Sequence, residues 1–201
     1  MATISNRAVK AQGRLSYPNL FTARAINDKG SPKYSATLLI PKTDTATIQR
    51  VQAAIDAAVQ DGIDRGIFKG QVDPSRSKYP PLRDGDTPKD DGSARGDEFA
   101  GHWFISAKAP GDKPRPSVVD ANVQPVMDES EIYAGCYVNM FVEFYAYETS
   151  GNKGIAASLR GVQFVRDGER LGGEPLEAED MFSAVGGGSP ATTADADDDW
   201  M

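Results

Sequence analysis

Cys136-Tyr-Val-Asn-Met-Phe-Val-Glu-Phe-Tyr-Ala-Tyr147 alternates without a break. Its even positions, Cys136, Val138, Met140, Val142, Phe144 and Ala146, are all apolar. Its odd positions, Tyr137, Asn139, Phe141, Glu143, Tyr145 and Tyr147, mix aromatic and polar groups. A period of two marks a half-buried strand, because successive side chains point to opposite faces of a sheet. Gly151-Asn152 makes a hairpin turn, and residues 154–165 supply the partner strand, which ends at Asp167-Gly168. The even face is the natural core face, and the chain is expected to be built around β-sheet.

Outward from this hairpin the same rules find more strands. In residues 8–17, Val9, Ala11, Gly13, Leu15 and Tyr17 share one side, while Lys10, Gln12, Arg14 and Ser16 share the other; Pro18-Asn19 is read as the break. Residues 33–40 follow a Gly30-Ser31-Pro32 turn and stop at Pro41. Residues 98–107 and a short apolar piece at 117–119 complete the set. Between the second and third strands the period changes. Ile48, Val51, Ile55, Val59 and Ile63 form one helical stripe over 44–65, with Thr43 or Asp44 to cap its start and Gly66 past its end. Residues 70–97, with Pro74, Pro80, Pro81 and Pro88, read as a long loop. The inventory predicts a mainly β fold, an OB-like five-stranded barrel with one inserted helix and long loops. A β-sandwich accommodates the strand count nearly as well, so periodicity does not decide between them.

The net charge of -7 is unevenly spread. Residues 173–201 hold eight acidic and no basic side chains, so 21 of the 29 acidic residues lie in 1–172 beside all 22 basic ones. The body is therefore at +1 and the tail at -8. Gly186-Gly187-Gly188-Ser189-Pro190 is a flexible-linker composition, and the tail is too polar to fold alone. The expected organisation is one domain over 1–172 and a flexible, disordered acidic tail over 173–201.

Several chemistries are excluded or left without support. One cysteine, Cys136, and one histidine, His102, rule out an internal disulfide and an intrachain Cys/His zinc site. There is no phosphate-binding Gly-x-x-x-x-Gly-Lys-Ser/Thr loop and no Gly-x-Ser-x-Gly elbow. Asp84-Gly85-Asp86 with Asp90-Asp91 lacks the full calcium-loop pattern and is read as solvated loop. No cofactor, no metal and no catalytic residue is expected. No apolar run reaches the ~18 residues of a membrane span, and the first residues lack an apolar signal core. No membrane partner is expected, and a cytoplasmic location is the default.

What remains is a binding surface. The odd face of 136–147 presents Tyr137, Phe141, Tyr145 and Tyr147. Aromatic rings interleaved with cations suit single-stranded nucleic acid, because every base has a π-face and every linkage a negative charge. The candidate contacts are these four together with Trp103 and Phe104, and the cations Lys10, Arg14, Lys33, Arg76, Lys78, Lys108 and Arg160. Arg7, Lys42, Arg65, Lys69, Arg83, Lys89, Arg95, Lys113 and Arg115 complete the wider set of cations near strands and in the loops. Such side chains also serve simply to solvate a surface. The tail ends Asp195-Ala-Asp197-Asp198-Asp199-Trp200-Met201. A polar tail has no packing use for an indole, so Trp200 with Asp195, Asp197, Asp198 and Asp199 reads as a partner-binding handle.

The segments Lys33-Tyr-Ser-Ala-Thr-Leu-Leu-Ile-Pro-Lys42, Ala134 to Tyr147 and Gly151 to Gly173, with the acidic aromatic-ended tail, carry a family likeness. The chain resembles the single-stranded-DNA-binding proteins of bacteria and lytic bacteriophages. Its body is similar to one phage branch of that class, which has a member in an Enterobacter phage. The resemblance implies an OB fold, sequence-independent coating of single strands, and a role in phage replication or recombination in the cytoplasm of the infected host. It also implies a tail that regulates DNA access and recruits replication and recombination proteins. The bacterial Pro-Phe ending is missing here, so the bacterial partner set does not carry over. Duplex DNA as a second ligand and homo-oligomerisation stay open. The alternatives are a metal-dependent nuclease of recombination and a structural phage module that contacts only proteins.

Overall fold

The structure, a computed structural model, describes residues 4–25, 30–149 and 151–172. The acidic tail, with Asp195, Asp197, Asp198, Asp199 and Trp200, lies outside the described residues, and the expected domain limit falls at their edge.

The strands are β1 (Ala8–Arg24), β2 (Lys33–Pro41), β3 (Arg83–Asp84), β4 (His102–Pro110), β5 (Ser117–Val119), β6 (Tyr137–Thr149) and β7 (Asn152–Arg166), with helix α1 (Thr45–Asp64) between β2 and β3. β1 pairs antiparallel with β2 and β6, β2 with β4, and β6 with β7. A parallel pair, Ala107 with Ala157 and Lys108 with Ser158, joins β4 to β7 and closes the ring. That closure makes a five-stranded OB-type barrel and removes the sandwich alternative. β3 adds to the edge of β4, and β5 runs parallel to β7.

The alternation of β6 survives intact. Cys136, Val138, Met140, Val142 and Phe144 are fully buried, and Ala146 nearly so. They meet Val9, Ala11 and Leu15 of β1, Leu38 and Ile40 of β2, and Ile105 of β4 in one core. A Cβ on Gly13 would run into the Leu39 carbonyl and the Leu38 side chain, so β1 and β2 cross too closely there for any other residue. α1 buries Val51, Ala54, Ile55, Ala58 and Val59 and packs on β6 and β1. Asp44, rather than Thr43, caps it by accepting from the Thr47 N–H at 3.1 Å. No helix among the described residues is long and apolar enough to cross a membrane.

β1 departs from expectation. It continues through Pro18-Asn19 to Arg24, with register irregularities between Ser16 and Asn19 and again before Arg24. Pro18 sits in the first irregularity, where its missing N–H costs no ladder bond. Tyr17 there takes φ 46°, a left-handed value rare for a side chain of this size. The bulge reverses the parity read from the sequence. Ser16 is buried and Tyr17 faces solvent. The strand expected at 98–107 begins only at His102, because Asp97–Phe99 forms a short 3-10 turn.

Candidate nucleic-acid interface

Registers across the barrel place one row of residues on its outer surface. Arg83 pairs with Phe104, Phe104 with Leu39, Leu39 with Arg14, Arg14 with Tyr137, and Tyr137 with Arg166. The row sets three arginines among Phe104, Leu39 and Tyr137. Its two halves differ in character.

On the half formed by β1, β2, β3 and β4, Leu39, Phe99 and Phe104 make a small cluster separate from the core, with Leu171 against it. Phe99 meets Phe104 edge-on at 5.0 Å between centroids, and Tyr17 stacks over Phe99 at 6.5 Å and 26°. Tyr17 is 63% exposed, so its ring is available. Phe104 is only 3% exposed, and the Arg83 and Arg95 guanidinium groups lie 4.7 and 4.8 Å from its centroid. Burial pushes the Arg83 guanidinium below its ordinary pKa, and Arg95 adds to that. Farther along β4, burial and then the Lys33 and Arg83 charges depress the Lys108 ammonium. Ion pairs among the described residues engage Arg7, Lys42, Arg65 and Arg160. None of them engages Arg83, Arg95, Lys33 or Lys108. This half thus carries an exposed aromatic platform and four cations that form no ion pair among the described residues, with Asp90 near enough to Arg83 to offset part of its burial.

Trp103 is one residue from Phe104 and on the opposite face. It pairs with Ile40 and shares the core side with Ile105 and Ala107, half-buried at the barrel end. Lys42 lies 5.5 Å from its ring centroid. Asp84 and Asp86 each hold the Lys42 Nζ at 2.6 Å, and Asp86 also accepts the Gly101 N–H at 2.8 Å. These contacts raise the Lys42 pKa and lower that of Asp86. The aspartates read as solvated loop therefore fasten the 84–101 segment to the end of β2.

On the β6 and β7 half, the odd residues do face outward. Tyr145 is 42% exposed, and Tyr137, Phe141 and Tyr147 are half-buried. Lys10 is exposed opposite Phe141. Other groups on this half are already occupied. The Arg166 guanidinium lies 3.5 Å from the Tyr137 centroid. Asn139 donates to Gln163 at 3.0 Å. Glu143 pairs with Arg7 at 3.1 Å and with Arg160 at 2.6 Å. Arg14 donates to the Gly135 and Glu169 carbonyls, strapping the end of the described chain to β1. Arg76 ends a 3-10 turn and Lys78 lies against Tyr79; Ser77 between them is beside Gly154, near the β6–β7 hairpin.

Of the sequence candidates, the structure brings Lys33, Phe104 and Lys108 together. It places Tyr137, Phe141, Tyr145, Tyr147, Lys10 and Arg160 on the other half, Arg76 and Lys78 by the hairpin, and Trp103 on the core side. The residues missed are Tyr17 and Phe99. Pro18 directly after Tyr17 was the available signal, since a proline within a strand calls for a bulge.

A family model described as "Enterobacter phage Enc34, ssDNA-binding protein" matches residues 6–200. Protein p50 of Acyrthosiphon pisum secondary endosymbiont phage 1 is 37% identical over 175 residues, covering 84% of this chain and 88% of that protein. The solved single-stranded DNA-binding protein from bacteriophage Enc34 in complex with ssDNA superposes with a TM-score of 0.68 at 28% identity, over 86% of this chain and 97% of that one. A C-terminal truncation of the same Enc34 protein gives a TM-score of 0.65 at 27% identity, over 85% and 96%.

Proposed function

The chain belongs to the family of the Enterobacter phage Enc34 single-stranded-DNA-binding protein, and from that premise we propose that it coats single-stranded DNA without sequence preference, as a non-enzymatic protein of phage replication and recombination in the infected cell. The observation that carries the reading is the exposed Tyr17 ring, stacked on Phe99, on the same half as Lys33, Arg83, Arg95 and Lys108, none of which forms an ion pair among the described residues. Bases stack on the ring and the cations meet the phosphates, a combination that tolerates any sequence. The outward face of β6, with Phe141 and Tyr145 beside Lys10, offers the strand a continuation across Arg14 and Tyr137.

The acidic tail competes with DNA for this face. Leu171 packs against the Leu39–Phe99–Phe104 cluster, so the chain enters the tail at the border of the face. A tethered polyanion there has a high effective concentration. The tail's Asp195 to Trp200 end recruits replication and recombination partners when DNA displaces it. Deleting residues 190–201 is expected to tighten binding of an oligo-dT at low salt, read by fluorescence anisotropy. Unchanged or weaker binding counts against the competition.

A further inference from the structure

Phe104 offers no ring face to a base. It is 3% exposed, flanked edge-on by Phe99 and covered by Arg83 and Arg95. What it carries instead is a pair of guanidinium groups. Arg95 is fixed by donating from Nε to the Thr87 carbonyl at 2.9 Å and from Nη2 to the Pro88 carbonyl at 3.4 Å, which leaves Nη1 unspent. The Arg83 Nε is buried with no hydrogen-bond partner. A buried, unpaired donor on a cation is costly; Arg95 alongside adds to the cost and Asp90 offsets part of it. A phosphate bound at the Nη groups of the two arginines would offset that cost through charge-assisted hydrogen bonds.

We infer that Arg83 and Arg95, spread on the Phe104 ring, form a clamp for one backbone phosphodiester, with Lys108 and Lys33 meeting phosphates farther along β4 and β2. The inference rests on the reading above that this face binds single strands. Phe104 is then a positioning residue, not a stacking one. It holds two planar forks in place for bidentate contact, which lysine cannot imitate. Phe104 to Lys108 spans four residues of strand, about 13 Å, so the clamp and the lysines meet different phosphates.

The test uses the full chain with two labelled oligomers of equal length, oligo-dT and an abasic strand that keeps every phosphate and no base. Arg83→Gln/Arg95→Gln is expected to weaken both by a similar factor, roughly tenfold or more. It is also expected to make the slope of log K against log salt shallower by about 0.7 or more. Arg83→Lys/Arg95→Lys is expected to lose affinity for both strands as well. Tyr17→Gly is expected to weaken oligo-dT and spare the abasic strand. In the unmutated protein, the Arg83 Nε–H resonance is expected to shift when the abasic strand is added, a readout independent of how the variants fold. The clamp is overturned if the glutamine pair leaves the slope unchanged, if the lysine pair restores wild-type affinity, or if the Arg83 resonance does not move. If the unmutated protein fails to bind oligo-dT at all, the parent reading falls first.

Discussion

Phe144→Ala is expected to lower the unfolding free energy by about 3–5 kcal/mol. Phe144 is completely buried at the middle of β6, the strand that both hairpin and barrel depend on. Its backbone is fixed on both sides. The Phe144 N–H donates to the Arg7 carbonyl at 2.9 Å, and the residue pairs with Ala157 of β7. A closed barrel cannot collapse into the space left by a lost ring as a loose helix pair can, so most of the cavity cost remains. Ala146 and Ala157 nearby are too short to fill it. Denaturant unfolding reads the change as a lower midpoint at an unchanged m-value. Tyr145→Ala, one residue away on the outward face and 42% exposed, is expected to shift the midpoint much less. Equal losses at the two positions would contradict the assignment of faces.

Tyr17→Gly is expected to weaken oligo-dT binding by roughly 5- to 150-fold, the range for one lost base stack. Glycine is the informative replacement because the backbone at this position has φ 46°. Glycine adopts that value freely, whereas tyrosine is held there against its preference. The folded protein is therefore expected to keep its stability, or gain slightly, while losing affinity. Tyr17→Phe keeps the ring and is expected to bind nearly as well as the original. Unchanged affinity in Tyr17→Gly would place the bases elsewhere, with the outward aromatics of β6 as the next surface to vary.

Much of this was legible in the sequence, and the misses share a cause. The two faces of β6 follow directly from period two, and every even position from Val138 to Ala146 is buried. The helix follows from its stripe. The closure of the barrel does not, because the parallel pairing of Ala107 with Ala157 joins strands 50 residues apart and leaves no local signal. Side-chain roles were harder still. Trp103 and Phe104 stand together in sequence, but in a strand adjacent residues must face opposite ways, and only the register shows which faces the core. Simple alternation puts Tyr17 on one side with Val9, Ala11 and Leu15, because it cannot anticipate a bulge. Arg14 and Arg160 look like free cations in a sequence, but one straps backbone carbonyls and the other pairs with Glu143. Whether a charge is already spent is a property of the tertiary contacts.

We propose that the face carrying Tyr17, Phe99, Lys33, Arg83, Arg95 and Lys108 binds single strands through stacking and phosphate neutralisation. The most direct test is the affinity of the full chain for oligo-dT measured across a salt series. Neutralisation of three phosphates, one by Arg83 with Arg95 and one each by Lys33 and Lys108, predicts micromolar or tighter binding at low salt and a log–log slope of about −2, from ~0.7 per phosphate. A flat salt dependence, or no binding at low salt, would contradict it.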